Sequence, residues 1–178
     1  LVTSLQTIVS RRLDPTETAV VSVTELISDG TRNALPGLSR VLGDARSFKP
    51  EVSVIIEQQM RAIAAGIAQA YNMEIDVDYS REFVPLINDA HLTEEALAAA
   101  RTVREFASTI IADTPITASE DFARFLPHVP GCFGFIGNGE TSAPLHNPGY
   151  DFNDAALLGG TAFFAAIVRR RLPKVTCD

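Results

Sequence analysis

Apolar and polar positions alternate along this chain with two distinct periods. Residues 1–13 carry Leu5, Ile8 and Val9 at helical spacing, and Asp14-Pro15 ends that run, because the residue before a proline is pushed out of the helical region. Residues 19–27 are apolar and β-branched, which predicts a strand. Asp29-Gly30 predicts a turn, and residues 40–48 a second strand with Gly43 at a bulge. Pro50 suits the first position of a helix and Glu51 its first turn. Val52, Ile56, Ile63 and Ile67 carry that helix to about Tyr71. From 73 to 79 the period changes to two. Met73, Ile75, Val77 and Tyr79 face one way and Glu74, Asp76 and Asp78 the other, as in a half-buried strand.

The order helix, strand, strand, helix, strand matches a split βαβ, ferredoxin-like unit without its first strand. A composition break follows at 85–89. Thr93 is expected to cap a helix running to about Ile111, with Glu94 and Glu95 in its first turn. Ser119 is expected to cap a short helix over 120–126, and 132–137 reads as a short buried strand. Residues 137–151 are rich in Gly, Pro and Asn, hence loop. A last helix over 154–171 is expected to stop at Pro173. The expected class is therefore α/β (α+β), with one unit over 1–80 and another over 85–178.

The net charge of −7 on 178 residues argues against nucleic acid, because no basic patch exists to neutralise phosphates. Arg169-Arg170-Arg171 sits at an expected helix end, where cations offset the partial charge of the last carbonyls. Cys132 and Cys177 form neither a metal-ligand spacing nor a disulfide framework. A reducing cytoplasm is the simplest compartment. No apolar run is long enough to span a bilayer, and no signal peptide is visible. The chain opens as if in the middle of a helix and without an initiator methionine, so a fragment is expected.

Three groups of residues could carry chemistry. His146 sits between two prolines in Ala-Pro-Leu-His-Asn-Pro-Gly, a rigid setting for a metal ligand. On spacing alone a loop histidine bonded to backbone is the readier account, since one histidine is not a site. Arg46, thirteen positions after Asn33, has the planar fork that grips a carboxylate, and the asparagine amide can add a bond. A surface arginine and a turn asparagine are the plainer alternative. Ser119-Glu120-Asp121 is as readily an ordinary helix start as a functional motif. His91 and His128 have no partners at ligand spacing and read as surface residues. Neither cysteine has an activating base beside it.

Taken in order, five stretches resemble the M20 peptidase family, in particular its hippurate hydrolases and auxin-conjugate hydrolases. They are Leu5-Gln6-Thr7-Ile8-Val9-Ser10-Arg11, Asn33-Ala34-Leu35-Pro36, Gly43-Asp44-Ala45-Arg46-Ser47-Phe48, Ser119-Glu120-Asp121-Phe122 and Pro144-Leu145-His146-Asn147-Pro148. The resemblance implies a zinc-peptidase-like α/β catalytic domain with an inserted ferredoxin-like lid that commonly forms a homodimer. Residues 1–80 would be the lid without its first strand, and 85–178 the last part of the catalytic domain. It implies two divalent metal ions, zinc or manganese, with His146 as one ligand. Asn33 and Arg46 would hold the carboxylate of an N-acyl or N-carbamoyl amino acid whose amide is hydrolysed. The other ligands and the glutamate general base would lie upstream of Leu1, leaving no catalytic residue in this chain.

One position departs from the pattern. Where much of this branch has a lid histidine, six residues before the asparagine, this chain has Ile27, which cannot donate a hydrogen bond. Arg32 or Thr31 is expected to take that place. The reading from a different class is a non-catalytic dimerisation or ligand-binding module with a ferredoxin-like core. Metal content discriminates the two, because the hydrolase should carry about two ions per chain. Residues 1–178 alone are expected not to make a stable active monomer, which a cooperative melt of the purified monomer would contradict.

Overall fold

The computed structural model describes residues 1–106 and 115–172. The chain divides into two compact units, Leu1–Leu86 with Ile116–Arg124, and Ile87–Pro115 with Phe125–Asp178. The architecture is mixed α/β with one two-stranded sheet among the described residues.

The first unit begins with α1 (Val2–Leu5) and a π-helical turn over Ile8–Arg12. Leu5 and Ile8 are buried, but Val9 is exposed, against expectation. The change from α to the wider π geometry turns position 9 off the 3.6-residue stripe. β1 (Ala19–Ser28) and β2 (Ser39–Ser47) then form an antiparallel hairpin, paired from Ala19↔Ser47 to Ser28↔Ser39. The register shifts between Val23 and Glu25, so the extra residue of the bulge, Thr24, lies in β1 opposite Gly43. A Cβ at Gly43 would stand 2.3 Å from the Ser22 carbonyl oxygen, so only glycine fits there.

α2 (Pro50–Tyr71) has Pro50 in its first turn and ends on Asn72 at φ 50°, a left-handed C-cap that asparagine tolerates. Val52, Ile56 and Ile63 lie on one face and bury against Leu5, Ile8 and Val21. This is the core of the unit, and Ile8 and Ile56 are its largest fully buried side chains among the described residues. On the outer face Arg61 and Arg81 both donate to Glu57 (2.8 and 2.7 Å) and hold its carboxyl below the ordinary carboxylate range.

The strand expected over 73–79 is not formed. Its alternation survives from Glu74 onward, with Ile75, Val77 and Tyr79 half-buried and Glu74, Asp76 and Asp78 exposed, but Met73, expected on the inward face, is exposed. A strand, however, is defined by a neighbour that takes its N–H and C=O groups. This segment is fixed by side chains instead. Arg61 donates to the Val77 carbonyl (2.7 Å), and the Tyr79 and Ser53 hydroxyls lie 3.2 Å apart. The short helix expected over 120–126 is a single 3-10 turn, Asp121–Arg124. Glu120 rather than Ser119 caps it, accepting from the Phe122 N–H (3.2 Å).

In the second unit α3 (Ala90–Ala100) starts earlier than Thr93. Asp89 is the N-cap, its carboxylate accepting from the Leu92 N–H at 2.9 Å. Thr93 instead lies inside the helix and donates back to the Asp89 carbonyl, and Glu94 and Glu95 fall beyond the first turn. α3 closes at Ala100, and a 3-10 turn follows at Arg104–Phe106. The expected end near Ile111 lies outside the described residues, as do Pro173 and Cys177. Residues 132–137 form no strand. Asn88 holds Phe133 through both its N–H and its C=O (2.8 Å each), and Gly134 to Gly137 are exposed. α4 (Ala155–Arg171) packs on α3, with Gly159 against the Phe106 ring. Arg171 donates twice to Glu95 on α3 (2.5 and 2.9 Å), which gives the basic helix end a specific partner. No helix among the described residues is long and apolar enough to cross a membrane.

Candidate functional site

His146 and the pair Asn33 and Arg46 belong to different units, so each is described in its own setting. His146 lies at the tip of the loop between Asn138 and Asn153. The Asn147 N–H donates to the Pro144 carbonyl (3.1 Å), making Leu145 and His146 the central residues of a turn. His146 has φ 67°, the positive value that the third position of a type II turn requires and that glycine usually supplies. A second turn follows at once. The Tyr150 N–H donates to the Asn147 carbonyl (2.9 Å), and the Asn147 side chain accepts from the Gly149 N–H (2.8 Å). The imidazole is thus held exposed, on a backbone conformation that costs an L-residue about 1–2 kcal/mol. Strain of this kind concentrates at functional sites.

The feet of this loop are tied mainly by the side chain of Asn138, with a further bond from that of Asn153. The Asn138 amide donates to Ser142 Oγ (2.6 Å) and to the Asp151 carbonyl (2.7 Å), and its oxygen accepts from the Asn153 N–H (2.7 Å). Asn153 returns a bond to the Asn138 carbonyl (3.2 Å). Nothing in the periodicity marks Asn138, because its partners are loop groups.

Arg46 lies near the open end of the hairpin, on β2. Its Nε donates to Asp44 (2.5 Å) and its Nη1 to the Thr117 carbonyl (2.6 Å). Asp44 stands two positions away on the same strand face, a signal present in the sequence. Thr117 brings the segment ahead of Ser119–Phe122 beside Arg46, which no local pattern foretells. Asn33 lies beyond the hairpin's closed end, where its side-chain oxygen accepts from the Thr31 hydroxyl (3.3 Å). Ser39 closes the pairing at that end and Arg46 pairs with Val20 near the other. At the rise of a strand, Ser39 and Arg46 are roughly 23 Å apart. Within one chain, therefore, Asn33 and Arg46 cannot grip the same carboxylate, contrary to the simplest reading of their spacing. Ile27 pairs directly with Arg40, so Arg40 shares its face. Thr31 is engaged with Asn33.

Among the described residues no three His, Cys, Asp or Glu side chains are grouped closely enough to hold a metal. A protein metal site takes at least about three such ligands. His146 fits as one donor, an exposed imidazole on a braced loop, and the described residues do not supply the rest. His91 and His128 are exposed, as expected, and Cys132 is half-buried beside Thr93.

Residues 6–170 match the pattern of peptidase family M20/M25/M40. The chain is 30% identical over 172 residues to the N-acetyl-L-cysteine deacetylase of Bacillus subtilis, covering 97% of this chain and 40% of that protein. It is 32% identical over 157 residues to the N-acetyldiaminopimelate deacetylase of Streptococcus thermophilus, covering 88% and 41%. Among solved structures it superimposes with TM-score 0.77 and 27% identity on a methicillin-resistant Staphylococcus aureus protein named as an aminohydrolase, covering 94% of this chain and 42% of that one. A dinuclear metal-binding peptidase of the M20 family from Bacillus subtilis shares the fold, with TM-score 0.74 at 24% identity over 88% of this chain and 43% of that one. The chain thus spans about two fifths of the length of the relatives it matches. A match over 6–170 takes in Asn33, Arg46 and His146 alike, and the chain belongs to peptidase family M20/M25/M40.

Proposed function

We propose that this chain serves a metal-dependent amidohydrolase that cleaves the amide bond of N-acyl amino acids, N-acetyl amino acids first among them. The observation that carries this is the family match over 6–170 together with relatives that are N-acetyl amino acid deacetylases. Those relatives favour a small acyl group over the hippurate-type and auxin-conjugate substrates that the motifs alone suggested.

In this reading His146 contributes one neutral imidazole to a divalent metal site whose remaining ligands other residues supply. Such a metal lowers the pKa of bound water and polarises an amide carbonyl. The left-handed turn at His146 fixes the backbone from which that imidazole projects. Arg46 takes the substrate carboxylate. Asp44 and Thr117 occupy its Nε and Nη1 and hold the guanidinium plane in place, and donors on Nη2 stay open for a carboxylate. Asn33 serves the same carboxylate from a second copy of the chain. This accords with the hairpin's length and with a homodimer formed through a ferredoxin-like lid.

The test is a panel of N-acetyl, longer N-acyl and N-carbamoyl amino acids offered to the full-length protein, with metal analysis of the same sample. Metal-dependent release of the free amino acid from N-acetyl substrates, with KM raised at least tenfold by Arg46→Ala, is expected. No hydrolysis of any member by metal-loaded protein would return the non-catalytic module as the better account.

A further inference from the structure

We propose that Asn138 is the positioning residue for His146, clamping the feet of the 139–152 loop so that the imidazole is presented at one angle. This rests on the reading of His146 as a metal donor. The geometry carries it in three steps. First, the loop is long and exposed, and its turns are local. The Pro144–Asn147 and Asn147–Tyr150 bonds shape the tip but say nothing about where the tip stands relative to the unit. Second, most of the tie at the feet is made by one half-buried side chain, beside the single bond of 3.2 Å from the Asn153 side chain to the Asn138 carbonyl. Asn138 spends both amide hydrogens, on Ser142 Oγ at 2.6 Å and on the Asp151 carbonyl at 2.7 Å, and its oxygen on the Asn153 N–H at 2.7 Å. One partner lies on the outgoing arm of the loop and two on the returning arm. Third, Asn153 connects the clamp to a rigid element, since its side-chain oxygen accepts from the N–H of Ala155, the first residue of α4 (3.1 Å).

The chemistry of the clamp is specific to a primary amide. A carboxylate of the same shape accepts only. It would keep the bond from the Asn153 N–H but face the Asp151 carbonyl oxygen with no hydrogen between them. Asn138→Asp is therefore a nearly isosteric way to open one arm of the clamp without leaving a cavity. Groups hydrogen-bonded directly to a metal ligand typically change metal affinity by about 10–100-fold when altered, and a clamp acting through the loop backbone falls at the low end of that range.

The experiment measures zinc affinity of the full-length protein by competition with a chromogenic chelator, for wild type, Asn138→Asp, Asn138→Ala and His146→Ala. Melting of the metal-free proteins and limited proteolysis within 139–152 are read alongside. Asn138→Asp is expected to weaken zinc binding about 10-fold, to speed cleavage in the loop, and to leave KM and the metal-free melting temperature near wild type. Unchanged zinc affinity in Asn138→Asp, with His146→Ala weakened, overturns the clamp and leaves the proposed function standing. A loss of zinc affinity that only tracks a fall in metal-free melting temperature also overturns it, because the residue is then simply structural. Unchanged affinity in His146→Ala removes the donor itself, so the proposed role of His146 and this inference fall together. Where Asn138→Ala does not fold, Asn138→Asp decides alone.

Discussion

The left-handed turn at His146 sets stability against function, and the conflict can be measured. At φ 67° an L-side chain crowds its own backbone, at a cost of about 1–2 kcal/mol. Alanine at this position keeps that cost, and glycine removes it. Glycine also loses about 0.5–1 kcal/mol through the greater freedom of its unfolded chain. The difference leaves His146→Gly about 0–1.5 kcal/mol more stable than His146→Ala, centred on about 0.75, although alanine is otherwise the safer truncation. For a chain of this size or larger that corresponds to on the order of 1–3 °C in melting temperature. The assay is calorimetry of the full-length protein with metal stripped by chelator, so that lost metal binding does not enter the comparison. Both variants should lose the same zinc affinity. An order of Ala above Gly would refute the reasoning, because it would mean that the turn does not hold this residue in the left-handed region.

Two other outcomes are expected. Glu57 has its carboxyl pKa lowered by Arg61 and Arg81, so its stabilising effect is complete above the ordinary value of 4.5 and is lost as pH falls through the lower folded value. Glu57→Gln should therefore flatten the acid limb of a urea-denaturation series taken below about pH 4.5, and a limb as steep as wild type would contradict the assignment. If Asn33 and Arg46 of different copies serve one carboxylate, Asn33→Ala and Arg46→Ala should each be nearly inactive. Unfolded and refolded together in equal amounts, they should recover about a quarter of wild-type activity, since half the dimers are mixed and each has one intact site. Recovery no greater than the two variants give separately would overturn a carboxylate site shared between copies.

The parts of the fold that were legible from sequence are those whose stability is local or periodic. Pro50 and the spacing of Val52, Ile56 and Ile63 define α2, and the β-branched run ending at Ile27 defines β1. The segment over 73–79 shows the limit of such patterns. Its alternation was correct for burial from Glu74 to Tyr79 but not at Met73, which is exposed, and the pattern reports only the faces and not the neighbour that makes a strand. The caps failed for another reason. Asp89 precedes Thr93 and Glu120 follows Ser119, and whichever oxygen reaches the free N–H groups wins, which composition does not decide. At the candidate site, His146 could be named by resemblance, but its left-handed turn could not, since histidine is not a residue expected there. The separation of Asn33 from Arg46 was available all along. Two strands joined by a turn place the turn residue at one end and the last residues of the second strand at the other. The bonds from Arg46 to Thr117 and from Asn138 to its loop join positions with no shared period.

The hairpin of β1 and β2 is also a lever. Its base is seated on the core through Val21, and its far half carries Leu26, Ile27 and Leu42 uncovered. Over the roughly 13 Å of strand from Gly43 to Ser39, a rotation of about 10° at Gly43 carries the far end of the ladder through about 2 Å, more than a hydrogen bond can stretch. The fulcrum is where Gly43 lies against the Ser22 carbonyl beside the bulge. On the proposed role of Asn33, a residue there that touches no ligand would set the aim of Asn33 at the far end. Under the proposed function, substitutions beside Gly43 should therefore act as adjustments of reach that alter which substrates are accepted, whereas any side chain at Gly43 itself meets the Ser22 carbonyl and should cost stability as well.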